Sequence, residues 1–253
     1  MKTVLITGCS SGFGLETARH FLDQGWNVVA TMRTPLPQLL PTSERLRIVA
    51  LDVTREDSIR DAVAAAGPLD VLVNNAGIGL LNALEGTSMA TVRDVFETNT
   101  LGTIAMTQAV LPQLRQRRSG VIVNVTSSVT LEPLPLLSVY RASKAAVNAF
   151  TESLALELES FNVQVRLVLP GRAPQTRFGE NARPRMGSVP ESYDAVAQRV
   201  FAGWAQSHGL VTHAADVAQA VWRAATDPSC PIRLPAGADA EAQAAALHGS
   251  SAA

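Results

Sequence analysis

Cysteine is nearly missing: Cys9 and Cys230 are all that the 253 residues contain. Two are too few for a disulfide framework, and neither has metal-ligand neighbours at zinc spacing, so no metal is expected and a reducing compartment fits. Long apolar runs are missing too. No uninterrupted stretch of 18 apolar residues occurs, and the opening MKTVLITG reaches a glycine too soon for a signal-peptide core, so a soluble, cytoplasmic protein without a membrane span is expected. Nor is there an excess of charge of one sign. The formal net charge is −1 and the basic residues form no long block, which excludes the electrostatic footprint of a nucleic-acid binder and leaves small molecules as partners.

What is present is apolar material, 47% of the chain, enough for one large α/β domain. β-branched runs recur at 3–7, 27–31, 47–51, 70–74, 121–125 and 163–169. Each is nearly continuous in apolar character, as strands buried on both faces of a parallel sheet are. Helical spacing lies between them. Leu15, Ala18, Phe21 and Leu22 share one face of 14–24, and Thr54 stands as an N-cap ahead of 54–66. Alternating strand and helix predicts right-handed βαβ units in one doubly wound sheet, with functional residues just after the strands. A single domain over 1–237 is expected, with 170–210 covering the substrate. Residues 170–192, rich in Pro, Gly, Arg and Asn, read as a covering segment or a surface excursion, followed by a helix through AVAQRVFAGWAQ, and the alanine-rich 238–253 is expected to fray for want of packing partners.

The stretch TGCSSGFG, Thr7 to Gly14, joins the first strand to the first helix. Glycine inside an element costs about 1 kcal/mol relative to alanine, so Gly8, Gly12 and Gly14 imply that something approaches the backbone closely. A helix N-terminus offers unpaired NH groups and a positive dipole end there, which suits a pyrophosphate. Later strands end in Asp52 and Val53, in NNAG (Asn74 to Gly77), and in Ser127 and Ser128, and YRASK (Tyr140 to Lys144) opens the next helix. Tyr140 and Lys144, four residues apart, share a helix face. A free tyrosine, with a pKa of about 10, is a poor base at neutrality, and lowering it by about three units takes roughly 4 kcal/mol of phenolate stabilisation, which a neighbouring ammonium can supply in part.

In this order and spacing TGCSSGFG, NNAG, Asn99 within ETNTLG, Ser127, YRASK and LPG at 169–171 resemble the classical short-chain dehydrogenases/reductases, from Lys2 to about Gly237. The resemblance implies a single Rossmann-type α/β domain with helices on both faces of a parallel sheet. It also implies a nicotinamide dinucleotide held by Gly8, Ser10, Ser11, Gly12, Phe13 and Gly14, by Asp52 and Val53 near the adenine, by Asn75, Ala76 and Gly77, by Tyr140 and Lys144, and by Pro170, Gly171 and Thr176. Tyr140 would be the general acid or base and Lys144 its pKa modifier. Ser127 would hold the substrate oxygen, with Ser128 a competitor that only the spacing to Tyr140 disfavours, and Asn99 would hold a relay water.

The second strand ends NVVATMRT, without the carboxylate that binds adenosine ribose hydroxyls, and Arg33 is a fork suited to a 2′-phosphate unless it is a solvated loop cation. NADP(H) is therefore favoured, with NAD(H) open. The ATMR, LPLLSVYRASK and late DVAQAVWRAATDPSCPIRLPAG stretches look like the 17β-hydroxysteroid-dehydrogenase-like and retinol-dehydrogenase-like subset, which handles apolar alcohols and carbonyls. Leu134, Leu136 and Leu137 are then pocket or core residues. The chain departs from the family pattern at Thr130 and Glu132 and in placing Thr176 five residues after Gly171 rather than four. Family members pair as dimers or tetramers through helices that correspond to 99–116 and 140–158. A non-catalytic NAD(P)-sensing protein on the same fold is the alternative.

Overall fold

Seven strands, each four to eight residues long, pair side by side and all in parallel. They are β1 (Thr3–Ile6), β2 (Asn27–Met32), β3 (Leu46–Ala50), β4 (Val71–Asn74), β5 (Gly120–Val125), β6 (Val163–Pro170) and β7 (Arg233–Ala236), in the order β3-β2-β1-β4-β5-β6-β7. The structure, a computed structural model, describes residues 1–206 and 209–250. Nine α-helices lie among the described residues: α1 (Gly12–Asp23), α2 (Glu56–Ala66), α3 (Met89–Phe96), α4 (Gly102–Arg117), α5 (Ser138–Leu158), α6 (Phe178–Met186), α7 (Asp194–Gln206), α8 (Ala214–Thr226) and α9 (Ala238–Ser250). None of them is long and apolar enough to cross a membrane.

The near-continuous apolar strands are explained by burial on both sides. Leu5, Val29, Leu72, Ile122 and Val165 face one way, against α2, α4 and α5, while Val4, Ile6, Val28, Val73, Val123 and Val168 face the other, against α1 and α8. The sheet is thus the middle of three layers, as the sequence pattern predicts.

Helix α5 shows how packing places chemistry. Its buried stripe is apolar towards the C-terminus (Val147, Leu154, Leu158) but polar in its first two turns (Tyr140, Ser143, Lys144). Burying Leu154 and Leu158 contributes about 4 kcal/mol and fixes the rotation of the helix, which carries the polar turn under the ends of β4 and β5.

Three expectations need correcting. Thr54 is not the N-cap of α2. Its amide and hydroxyl both donate to Asp52 Oδ1, an Asx-type turn that moves the cap to Arg55. β7 was not foreseen, because RLPA carries a proline; at the edge of a sheet a strand tolerates the missing donor. The segment from 238 forms α9 and has packing partners at its start, with Ala240 fully buried and Asp239 bonded to the chain beyond β6. Residues 251–253 of that expected tail lie outside the described residues.

Candidate active site

From β1 the chain builds outward through β2 and β3, whereas from β4 it builds outward through β5, β6 and β7. The connections therefore diverge at the β1/β4 boundary, and a crevice opens beyond the carboxyl ends of these two strands. Thr7, fully buried, is the fastening there. Its hydroxyl accepts from the amides of Asn75 (3.0 Å) and Ala76 (2.9 Å), and the Asn75 side chain returns bonds to the carbonyls of Thr7 (2.9 Å) and Gly8 (3.2 Å). The glycine loop and NNAG thus hold one another.

Two of the glycines are structural necessities. Gly8 has φ +76, a left-handed conformation, and Gly14 lies so near the Gly8 carbonyl and the Asn75 amide that a Cβ has no room. The N-terminus of α1 emerges beyond them. Ser11 makes no side-chain cap bond and the first turn carries no acid, so neither the cap residue nor the first turn neutralises the helix end. A phosphate-bearing cofactor fits this cradle by the shape of its backbone and by the polarity of its donors. Thr176 faces it, since a Cβ on Gly12 would meet Thr176 Cβ at 3.5 Å.

Asn74, the other asparagine of NNAG, has a different setting. It is buried and donates to Thr107 Oγ1 (3.1 Å) and Asn124 Oδ1 (2.9 Å), tying β4 to α4 and β5. Asp52 and Val53 follow β3, with Val53 packed in the core beside Gly102. Arg33 is exposed just past β2, and among the described residues no hydrogen bond or ion pair engages its guanidinium.

The second group gathers around Gly77. A Cβ there would lie 3.2 Å from Asn99 Oδ1 and 3.3 Å from Lys144 Nζ, so both side chains converge on one small residue. Asn99 sits in a π-helical turn, Glu97–Leu101, between α3 and α4; such turns recur at functional sites. It accepts from the Ile78 amide (2.8 Å) and donates to the Ile78 carbonyl (3.0 Å) and to Ser143 Oγ (3.1 Å). Its side chain therefore clamps the segment after β4 to α5. Lys144 Nζ donates to the Val125 carbonyl at 3.1 Å.

Tyr140 and Ser127 are both buried, and the Ser127 hydroxyl lies close enough to the phenol to favour its ionised form. Of the two serines, Ser127 is the one that acts on the Tyr140 phenol. Burial pushes the Tyr140 phenol up to about 12, with the Ser127 hydroxyl only partly opposing it, and burial pushes the Lys144 ammonium down to about 8. The expected lowering of the tyrosine is thus not produced by the chain's own residues. Desolvation disfavours both charged forms and outweighs the local hydrogen bonds.

Over this group lies α6, inside the 170–210 stretch. The Phe178 ring stands 5.8 Å from the Tyr140 ring, and a Cβ on Gly79 would meet Phe178 at 2.7 Å. Asn82 donates to the Met186 carbonyl at the far end of the same helix. Leu136 packs with Leu81, Ala83 and Ala197, flanked by Leu137, whereas Leu134 is exposed at the mouth of a cavity of about 230 Å³ shared with Arg199, Val200 and Gly203. Sequence reasoning missed Thr7, Ser143 and Phe178. Thr7 is signalled by a hydroxyl at the last position before the glycine loop; Phe178, inside an irregular stretch, carries no comparable signal.

Comparison with known proteins bears on this geometry. The sequence pattern of the short chain dehydrogenase family matches residues 2–186. Retinol dehydrogenase 8 of Bos taurus is 43% identical over 184 residues, covering 67% of this chain and 58% of its own. Estradiol 17-beta-dehydrogenase 1 of Rattus norvegicus is 39% identical over 219 residues, covering 81% and 63%. The chain thus spans only about three fifths of the length of these relatives. A short-chain dehydrogenase from Streptomyces avermitilis superposes with a TM-score of 0.83 at 32% identity, over 98% of this chain and 92% of that one. The closed form of serine dehydrogenase complexed with NADP+ gives 0.77 at 28% identity over 94% and 95%, and 3-ketoacyl-(acyl-carrier-protein) reductase from Brucella melitensis complexed with NADH gives 0.76 at 26% over 92% and 96%.

Proposed function

The chain belongs to the short-chain dehydrogenase family, within its retinol-dehydrogenase-like and 17β-hydroxysteroid-dehydrogenase-like subset, and from that premise we propose that it is an NADP(H)-dependent oxidoreductase interconverting an apolar alcohol with its ketone or aldehyde. The observation that carries the reading is the convergence of Ser127, Tyr140, Lys144 and Asn99 beneath a glycine cradle whose helix end the Ser11 side chain leaves uncapped. Gly8 to Gly14, Asn75 to Gly77 and the 170–176 segment would hold the dinucleotide, with Asp52 and Val53 at its adenine end. The unengaged Arg33, and the absence of an acid from Thr31 and Met32, favour a 2′-phosphate over bare ribose hydroxyls.

A bound nicotinamide supplies or accepts the hydride. The side chains do the rest. In reduction Tyr140, protonated throughout the neutral range, gives its proton to the carbonyl oxygen, while the Ser127 hydroxyl hydrogen-bonds the same oxygen and steadies its developing charge. The phenolate that results is stabilised by the positive charge of Lys144, and Asn99 keeps the Ile78 backbone and Ser143 in register so that Lys144 stays aimed at the site. In oxidation the proton runs the other way. Phe178 and the Leu136 cluster make the approach apolar.

We further propose a cytoplasmic homodimer or homotetramer assembled through α4 and α5, on which Leu101, 48% exposed at the start of α4, and Leu156, 76% exposed on α5, await cover. The function is tested by titrating the protein with NADPH and with NADH and following nucleotide fluorescence. NADPH binding at least about tenfold tighter than NADH, inverted or levelled in Arg33→Asp, is the expected result. Equal binding of the two, unaffected by Arg33→Asp, would remove the NADP(H) assignment.

A further inference from the structure

Segments beyond the family match at 2–186 reach back into the site. The chain leaving β6 at Pro170 is held on three sides. The Gly171 amide donates to Thr212 Oγ1 (3.0 Å), the Arg172 amide donates to Asp239 Oδ2 (2.6 Å), and the Thr212 amide donates to the Arg172 carbonyl (2.9 Å). Thr212, buried, donates in turn to Asp239 Oδ1 (2.6 Å), so the carboxylate grips both a main-chain amide and the hydroxyl that supports its neighbour. A Cβ on Gly171 would collide with the Asp239 carboxylate. The fit leaves no slack.

This grip continues into the cradle. One residue past Arg172 the turn closes on Ala173, with the Thr176 amide and hydroxyl both donating to the Ala173 carbonyl (3.1 and 2.9 Å), and Thr176 is the residue that faces Gly12. His213, next to Thr212, contacts Gln175 Oε1 at 3.2 Å. Farther along α9, Gln243 donates to Glu132 (3.1 Å), in the loop after Ser127, so the helix is anchored on both sides of the site. The unusual five-residue spacing from Gly171 to Thr176 is therefore accommodated by a turn clamped from α9.

We propose that Asp239 is a positioning residue for the cofactor: through Arg172 and Thr212 it sets the 170–176 segment at the height that brings Thr176 against the glycine loop. The inference rests on the nicotinamide reading given above. A carboxylate suits the task because two donors approach it from different directions, and its two oxygens accept one each.

The experiment compares the parent with Asp239→Ala and Asp239→Asn, in three readouts: NADPH titration by fluorescence, amide hydrogen exchange of 170–176 in the free protein, and KM for NADPH and for a carbonyl substrate alongside kcat. Removing the carboxylate is expected to weaken NADPH binding about tenfold and raise KM for NADPH to match, to speed exchange at Gly171 and Arg172, and to leave the carbonyl KM within about twofold. Asp239→Asn, which keeps one acceptor, falls between, and it decides the matter should Asp239→Ala fail to fold. Gly171→Ala, which displaces the same carboxylate, is expected to mimic Asp239→Ala and to add little to it. Parent-like NADPH affinity in folded variants would overturn the role of Asp239 while leaving the oxidoreductase assignment intact. A parent that binds neither NADPH nor NADH would overturn the assignment itself, and this inference with it.

Discussion

Replacing Lys144 by methionine is expected to make the folded protein more stable at neutral pH while abolishing the proposed activity. The ammonium is buried against the Val125 carbonyl, and burial lowers its pKa from 10.5 to about 8. A lysine with a depressed pKa binds its proton more weakly folded than unfolded, so below pH 8 it subtracts stability, by about 3 kcal/mol at 1.36 kcal/mol per pKa unit. Between pH 8 and 10.5 the unfolded chain holds more protons than the folded one, and stability rises with pH; above 10.5 the penalty is gone. Methionine has a similar length and no charge, and leaving the Val125 carbonyl without its donor returns about 1 kcal/mol of the gain. Urea unfolding at pH 7 should therefore show Lys144→Met more stable by about 2 kcal/mol, and the parent should close on it by about 2 kcal/mol between pH 7 and pH 9.5. The refuting result is a difference between the two proteins that does not change with pH, which would mean that Lys144 is solvated and its site open to water.

Other substitutions probe other links. Gly14→Ala forces a Cβ onto the Gly8 carbonyl, which is main chain and cannot swing away, so a loss of about 3 kcal/mol and a fall of roughly 6 to 12 °C in Tm are expected by thermal unfolding. Asn99→Leu removes three hydrogen bonds to Ile78 and Ser143; kcat should drop at least about tenfold while NADPH affinity changes much less, as stopped-flow turnover and titration would separate. Phe178→Ala opens the space above Tyr140, and a panel of carbonyls graded in size should show kcat/KM shifting towards bulkier substrates.

The sheet was legible because apolar, β-branched runs have one cheap solution, burial on both faces, and because glycines at Gly8 and Gly14 answer to backbone shape alone. Six of the seven strands lie within a residue or so of their predicted bounds. β7 escaped because Pro235 reads as a break, and only its place at an edge permits it. α9 escaped for a different reason. Its partners, Thr212, Arg172 and Glu132, are 27 to 111 residues distant, and a local pattern of alanines shows nothing of a contact that tertiary structure alone creates. The same holds at the site. Spacing put Tyr140 and Lys144 on one helix face and pointed to Ser127 over Ser128, yet it could not show that the chain alone raises the Tyr140 pKa, since desolvation depends on what the other layers cover.

The most direct measurement is NADPH consumption with aldehydes, small ketones, quinones and steroid or retinoid carbonyls, run for the parent and for Tyr140→Phe, with nucleotide binding titrated in both. Turnover by the parent that falls at least about a thousandfold in Tyr140→Phe, with NADPH affinity preserved, is the predicted outcome, because the substitution removes only the proton that the phenol delivers. Turnover that persists in Tyr140→Phe would contradict the assignment of the proton to Tyr140, and NADPH bound by a parent that reduces none of these carbonyls would point instead to a protein that senses the nucleotide.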